Sequence, residues 1–365
     1  FRSLDRLDSI DDAVAANRKV FRAARAMSRR GDGEDPELLV TVQDTGGDFG
    51  LSGRGDHRVW SAGIGALAKT AAVEWPDAAV KAIDLQCRGR TPHGQAEAIV
   101  EEIRAGGPAV EVGLGADGER IRPMALPAQL DEPVETPPLE EESVVVVSGG
   151  ARGVTADSVV RLAERRPSRF VLLGRTELVE EPEACQGLDE EAEMRRALRQ
   201  AAEERGEELA LPEQISKVRH IEACREIRRT LRRLEEAGAE ARYVSADVRD
   251  RESLERAFGE VRREWGPIEG LIHGAGVVDD APLERLSDEQ FDRVFDTKVE
   301  GLRALLGATA DDPLELICLF SSLAARNGNP GQAAYAMANQ VLDKVAAAQA
   351  RERADGCRVK PIEWG

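Results

Sequence analysis

Tyr335 and Asn339 stand four residues apart in Gly331-Gln332-Ala333-Ala334-Tyr335-Ala336-Met337-Ala338-Asn339, and on a helix that spacing puts both side chains on one face. Ser322, thirteen residues before the tyrosine (335 − 322), closes the apolar run Leu316-Ile317-Cys318-Leu319-Phe320, which reads as a buried strand. A hydroxyl at a strand end facing a phenol on a helix is a proton-donating arrangement. A free phenol titrates near ~10, so one that trades protons readily at neutral pH needs a nearby cation; a lowering of ~3 units corresponds to roughly 4 kcal/mol. Asn339 is neutral and cannot supply that charge. The candidate is Lys298, thirty-seven residues before the tyrosine (335 − 298), whose place on a helix lets it reach the phenol from the side.

A second group of residues has the character of a phosphate cradle. Val144-Val145-Val146-Val147 suits a buried parallel strand. It runs into Ser148-Gly149-Gly150-Ala151-Arg152-Gly153-Val154-Thr155 and then into a segment with helical apolar spacing. Strand, glycine turn and helix N-terminus together aim unpaired backbone N–H groups and the helix dipole at a pyrophosphate, here from Gly149, Gly150, Ala151, Arg152, Gly153 and Val154. A ribose 2′-hydroxyl is bound by an acidic residue at the end of the second strand, whereas a 2′-phosphate needs a cation. The second strand, Phe170-Val171-Leu172-Leu173, ends in Gly174-Arg175, and Arg152 adds another guanidinium. Two planar, bidentate donors favour NADPH over NADH.

Ser322, Tyr335, Asn339 and Lys298 at these spacings, with Leu319-Phe320-Ser321-Ser322 and Leu342-Asp343 around them, resemble the ketoreductase domain of type I polyketide and related fatty acid synthases. That domain is a branch of the short-chain dehydrogenase/reductase superfamily in which lysine and asparagine have exchanged positions. The resemblance implies NADPH-dependent reduction of a 3-ketoacyl chain carried by an acyl carrier protein. It gives Ser322 and Tyr335 to the ketone oxygen, Lys298 and Tyr335 to the nicotinamide ribose as well, and Asn339 to the orientation of Lys298 and a water relay. It also implies that Asp247 and Val248, after the third strand, meet the adenine, and that Gly274 and Ala275, after the fourth, lie under the nicotinamide half. Val278-Asp279-Asp280 is similar to the Leu-Asp-Asp signature of (3R)-specific members, with valine in place of leucine. The tryptophan of the opposite stereochemical class is replaced by Asn327. Thr155 departs from the superfamily's last loop glycine, which puts the closeness of helix packing there in question. Within the family the chain looks most like ketoreductases of iterative polyunsaturated fatty acid synthases.

These residues need a scaffold, and the sequence suggests an α/β chain of two Rossmann-like subdomains. Residues 1–126 alternate strand and helix, at 37–42, 60–74 and 80–85, and resemble the truncated structural subdomain of these ketoreductases. The loop Thr45-Gly46-Gly47-Asp48-Phe49-Gly50 is rejected as a second phosphate site, because Asp44 and Asp48 would set negative charge beside a pyrophosphate. Lys69, on the expected helix, reads as solvated. Residues 127–143, with Pro127, Pro133, Pro137 and Pro138 among acidic residues, form a linker. Residues 144–365 form the catalytic, doubly wound parallel sheet, interrupted by a helical insertion at about 177–240. Two helices are expected there, joined around Pro212, the first charged and either solvated or partner-facing, the second carrying the apolar stripe that packs on the sheet. In the family the tail at 362–365 is the sixth strand, and a lid helix follows it.

Composition narrows the partners. A formal charge of −18 on 365 residues argues against nucleic acid and anionic membranes. Five cysteines without a close pair and four histidines without ligand spacing suggest neither a disulfide framework nor a metal site. No apolar run approaches ~20 residues, and a reducing, cytoplasmic setting is expected. The implied partners are the carrier protein and neighbouring synthase domains. Two other functions compete: a catalytically silent scaffold within a synthase, and a free-standing reductase or epimerase, the latter opposed by Asn339 where such enzymes need lysine.

Overall fold

The computed structural model of the chain describes residues 7–28, 36–53, 55–127, 138–354 and 356–365. Its first part contains α1 (Ile10–Ser28), β1 (Leu38–Gln43), a 3-10 turn at Asp56–Ser61, α2 (Gly63–Glu74), β2 (Ala79–Leu85), α3 (Pro92–Ala105), β3 (Glu111–Leu114) and β4 (Arg120–Ile121). The four strands pair in the order β1-β2-β3-β4, parallel except at β4. Of the expected linker, residues 128–137 lie outside the described residues. The segment after them is packed, with Leu139 buried against the catalytic sheet.

The second part runs β5 (Val144–Ser148), α4 (Gly153–Arg165), β6 (Arg169–Gly174), α5 (Glu191–Glu204), α6 (Leu211–Glu236), β7 (Glu240–Ser245), α7 (Arg251–Trp265), β8 (Ile268–His273), α8 (Asp288–Ala308), β9 (Leu316–Ser322), α9 (Leu323–Asn327), α10 (Ala333–Glu352) and β10 (Arg358–Trp364). All six strands are parallel, in the order β10-β9-β8-β5-β6-β7. The valine run of β5 lies at the centre and is entirely buried, because both faces of a parallel sheet are covered by helices. Chain order reverses between β5 and β8, and the crevice at their C-terminal ends is where ligands of such sheets bind.

The insertion holds the two expected helices, with Pro212 inside the first turn of α6 rather than between them, since the missing N–H costs nothing there. The apolar stripe of α6 divides. Ile227 and Leu234 pack on the catalytic sheet, whereas Val218 and Ile221 join Met194 and Leu198 of α5 and Cys185 in a small core of their own. The charged α5 therefore has a buried side.

The two sheets are held together by helix α10. Nearly all of α2 is buried, and it packs along the alanine-rich α10. Lys69 is buried here, not solvated: its Nζ donates to Gln340 Oε1 at 2.9 Å and pairs with Glu111 at 2.8 Å. A second helix lying over α2 removes the solvent that its sequence alone promised. The loop 45–50 is already filled, since the N–H groups of Thr45 and Phe49 both donate, at 2.6 Å, to buried Asp84. Burial pushes the Asp84 carboxyl up to about 7, against the pull of those bonds.

Helix α1, which the sequence did not signal, clamps α8. Phe21 stacks on Phe291 at 4.3 Å, Phe291 on Phe295 at 5.1 Å, and Arg18 pairs with Asp292 at 2.6 Å. Phe21→Ala is expected to cost ~3–5 kcal/mol by opening a cavity in a fully buried stack. Urea unfolding would show it as a lower midpoint, largely restored in Phe21→Leu; an unchanged midpoint would mean that α1 is not part of the cooperative unit.

Candidate active site

Strand β9 delivers Ser322 to the C-terminal edge of the sheet, where its extended backbone (φ −153°, ψ 148°) makes it the N-cap of α9. Its Oγ accepts from the N–H of Ala324 at 3.2 Å, which uses a lone pair and leaves the hydroxyl hydrogen for another acceptor. Tyr335, in the first turn of α10, is half-buried. Lys298 comes from α8, and its Nζ lies 5.6 Å from the centroid of the Tyr335 ring while donating to the carbonyl of Phe320 at 2.8 Å. Asn339 is fully buried; its Nδ2 donates to the carbonyl of Tyr335 at 2.9 Å, and its Oδ1 has no partner among the described residues. Tyr335, Lys298 and Asn339 lie together, with Lys298 reaching the strand residue two before Ser322, although the amide of Asn339 bonds the backbone of Tyr335 and not Lys298.

His273, which belongs to no motif in the sequence, ties this cluster to the glycine loop. It is fully buried at the end of β8, with Nε2 2.9 Å from the carbonyl of Lys298 and Nδ1 2.6 Å from Ser148 Oγ. A carbonyl only accepts, so Nε2 carries the hydrogen and Nδ1 accepts from the Ser148 hydroxyl. Burial and the charge of Lys298 drive the imidazole down to about 3, which keeps it neutral. Ser148 Oγ in turn accepts from Ala275 N–H at 3.4 Å.

Burial also lowers Lys298, to about 8, against the opposing charge of Asp343. Asp343 stands on α10 two helical turns beyond Tyr335, with Oδ1 enclosed and unpartnered among the described residues. Burial pushes its carboxyl up to about 7, against a hydrogen bond from Ser321.

The loop after β5 has the shape a dinucleotide needs. Gly149 has φ +69°, and a Cβ there would sit 2.8 Å from the N of Ala275, so only glycine allows the two loops to touch. Gly153 opens α4 at φ +61° with nothing within 4 Å of a Cβ position, while its N–H donates to Glu226 Oε1 at 3.0 Å. Thr155 does not hold the helix away. It is buried against Gly274, where a Cβ would come 2.3 Å from Thr155 Oγ1, so the missing glycine on α4 is offset by one on the facing loop. Gly150 and Ala151 pack inward, while Arg152 and Val154 are exposed. Arg175 is exposed and makes no hydrogen bond or ion pair among the described residues. Asp247 lies beyond the end of β7 and is held by Arg249 at 2.7 Å, which keeps its carboxyl low. The side chain of Val248 is buried against α8, where it leaves room only for Gly301.

The Tyr335 ring and Lys298 Nζ thus lie 5.6 Å apart at the end of the strand that bears Ser322, and His273 ties the lysine turn to the glycine loop at the sheet's switch point. A family model described as the KR domain matches residues 143–365, well over half of the chain. The chain belongs to the KR, or ketoreductase, family. Its sequence is 33% identical over 290 residues to a polyunsaturated fatty acid synthase subunit from Thraustochytrium sp., a match covering 76% of this chain and 10% of that protein. It is 40% identical over 132 residues to phenolphthiocerol synthesis polyketide synthase type I Pks15/1 of Mycobacterium bovis, covering 36% of this chain and 6% of that one. The chain therefore spans a tenth or less of the synthases it resembles. A ketoreductase domain from the bacillaene assembly line shares the fold with a TM-score of 0.69 at 21% identity, over 97% of this chain and 72% of that one. A-type ketoreductases from a modular polyketide synthase do so at 0.68 and 23%, over 95% and 62%. KR domains are oxidoreductases of the nicotinamide-dependent kind.

In this KR domain the loop 278–280 is not free in solvent. Asp279 accepts from Gln290 Nε2 at 2.9 Å and pairs with Arg293 at 3.0 Å, Asp280 accepts from Gln332 Nε2 at 2.8 Å, and Val278 is exposed. Glu74, at the end of α2, accepts from the N–H of Leu283 at 2.7 Å and of Gly331 at 2.8 Å. It joins that loop to the turn that launches Tyr335, a role invisible in sequence because its partners are backbone groups more than 200 residues away. Among the described residues no helix is long and apolar enough to cross a membrane, and no cluster of three metal-ligating side chains occurs.

Lys298 is expected to titrate near 8 by NMR of ζ-labelled lysine, assigned through Lys298→Arg. Asp343→Asn removes the one charge that raises Lys298, so it should move that midpoint further down; an unmoved midpoint would mean that Asp343 does not act on the lysine.

Proposed function

We propose that this KR domain reduces a 3-ketoacyl thioester, held on an acyl carrier protein of a polyketide or polyunsaturated fatty acid synthase, to the (3R)-3-hydroxyacyl thioester with NADPH. The observation that carries the reading is Lys298 Nζ, 5.6 Å from the Tyr335 ring and bonded to the carbonyl of Phe320, two residues before Ser322 on the same strand. Gly149, Gly150, Ala151, Arg152, Gly153 and Val154 would hold the pyrophosphate end, with Arg152 and Arg175 at the 2′-phosphate. Asp247 and Val248 would line the adenine, and Gly274 and Ala275 would lie under the nicotinamide. When bound, NADPH supplies the hydride that reaches the β-carbon of the substrate.

Ser322 and Tyr335 donate hydrogen bonds to the ketone oxygen and stabilise the negative charge that grows on it. Tyr335 then gives its proton to that oxygen, and the C=O becomes C–OH. The charge left on the phenol oxygen is balanced by the ammonium of Lys298. Asn339 offers its unpartnered Oδ1 to the water that returns the proton. Buried surroundings make the lysine's charge count for more than it would in water. Support for the (3R) product comes from Val278, Asp279 and Asp280, a loop fixed against the first turn of α8 and the start of α10, together with Asn327 in place of tryptophan.

The test is NADPH oxidation with a short 3-ketoacyl thioester. Tyr335→Phe is expected to lower turnover roughly 100- to 10,000-fold, the usual worth of a general acid, with cofactor binding retained. Equal rates in parent and variant would remove Tyr335 as the acid. No turnover in either, with NADPH bound, would favour a silent scaffold.

A further inference from the structure

We propose that Glu226, brought to the cofactor site by insertion helix α6, competes with the ribose 2′-phosphate of NADPH for Arg152 and thereby weakens NADPH binding relative to NADH. The inference rests on the assignment of NADPH to this site. Glu226 Oε2 accepts from Arg152 Nε at 2.7 Å, and its Oε1 accepts from the N–H of Gly153 at 3.0 Å. A guanidinium and the first free N–H of α4 are the donors an incoming phosphate would use. Arg152 cannot fork onto a phosphate while it is turned onto this carboxylate.

Helix α6 also borders the second arginine. Cys224 Sγ donates to the carbonyl of Glu177 at 3.5 Å, and Arg228 donates to that of Val179, so the segment after Arg175 is strapped to the same helix. The backbone of α6 cannot retreat. Ile227 and Leu234 are buried on the sheet, and Arg233 pairs with Asp157 of α4 at 2.7 Å. The Glu226 side chain is 27% exposed, so its pair with Arg152 is within reach of solvent. Binding a 2′-phosphate must break the Arg152 pair and set two anions side by side. NADH lacks the 2′-phosphate and contests Glu226 only through its pyrophosphate, at the donors both cofactors share.

Fluorescence titration of the whole chain with NADPH, NADH and 2′,5′-ADP reads this without turnover. Glu226→Gln keeps an acceptor for Gly153 and removes only the charge. It should tighten NADPH and 2′,5′-ADP about fivefold, the scale of a part-exposed ion pair, and tighten NADH less. In an Arg152→Ala background the same substitution should no longer favour NADPH over NADH. If the parent prefers NADPH but Glu226→Gln leaves its affinity unchanged or weaker, the competition is refuted and the cofactor assignment stands. If the parent binds NADH as tightly as NADPH and ignores 2′,5′-ADP, the cofactor assignment itself fails and the role of Glu226 fails with it.

Discussion

One neutral imidazole holds the site together. His273 has two neighbours, a carbonyl that must receive a hydrogen and a serine hydroxyl that can give or take one, and with the ring held neutral Nε2 donates to the first and Nδ1 accepts from the second. Full burial enforces that state. Through it the end of β5, the end of β8 and the lysine turn of α8 are fixed to one another, and Ser148 extends the chain to Ala275. The glycine loop and the turn that carries Lys298 would otherwise be separate features at the edge of the sheet. A hydrogen-bonded side chain enclosed on all sides is costly to break, because each orphaned partner loses its bond without regaining water.

The first sheet makes sense once α10 is seen from its other side. The tyrosine helix is pressed between its own sheet and α2, so the first turn that carries Tyr335 is set by packing on two faces. Glu74 adds a direct restraint on the loops at either side of the phenol. The two Rossmann-like units also treat phosphate-type cradles in contrasting ways. In the first, Asp84 is wholly buried and fills the loop permanently, with a carboxyl pushed up toward neutrality. In the second, Glu226 is partly exposed and reaches a similar set of donors from outside, so the cradle can be reopened. Depth of burial separates a closed site from a contested one.

Much of this is legible in the sequence where the signal is local. The valine run, the glycine turn, the strand before Ser322 and the helix bearing Tyr335 and Asn339 follow from periodicity and turn chemistry, and the search for a cation leads to Lys298. What escapes depends on partners far along the chain. His273 has a serine 125 residues away and a carbonyl 25 away, and neither spacing forms a motif. Lys69 reads as solvated because amphipathic patterning cannot see a second helix across it. Helix α1 offers an ordinary mixed sequence whose aromatic face acquires meaning only against Phe291. The stripe on α6 is visible in the sequence, but its division between two cores arises from α5 folding back, which no single-helix pattern encodes.

The exchange of lysine and asparagine has a spatial logic. Position 339 is fully enclosed, and its amide is already committed to the carbonyl one turn back, a demand a short neutral side chain meets without bringing charge into the helix packing. The lysine instead enters from α8, across the end of β8, where Gly276 leaves space: a Cβ there would lie 3.1 Å from Lys298 Cε. Its stem is desolvated, which lowers its proton affinity toward the working range, while Asp343 on α10 holds it from falling further. With asparagine at 339, the buried cation enters from a different helix, beside a glycine that leaves it room and a carboxyl group whose charge raises its proton affinity.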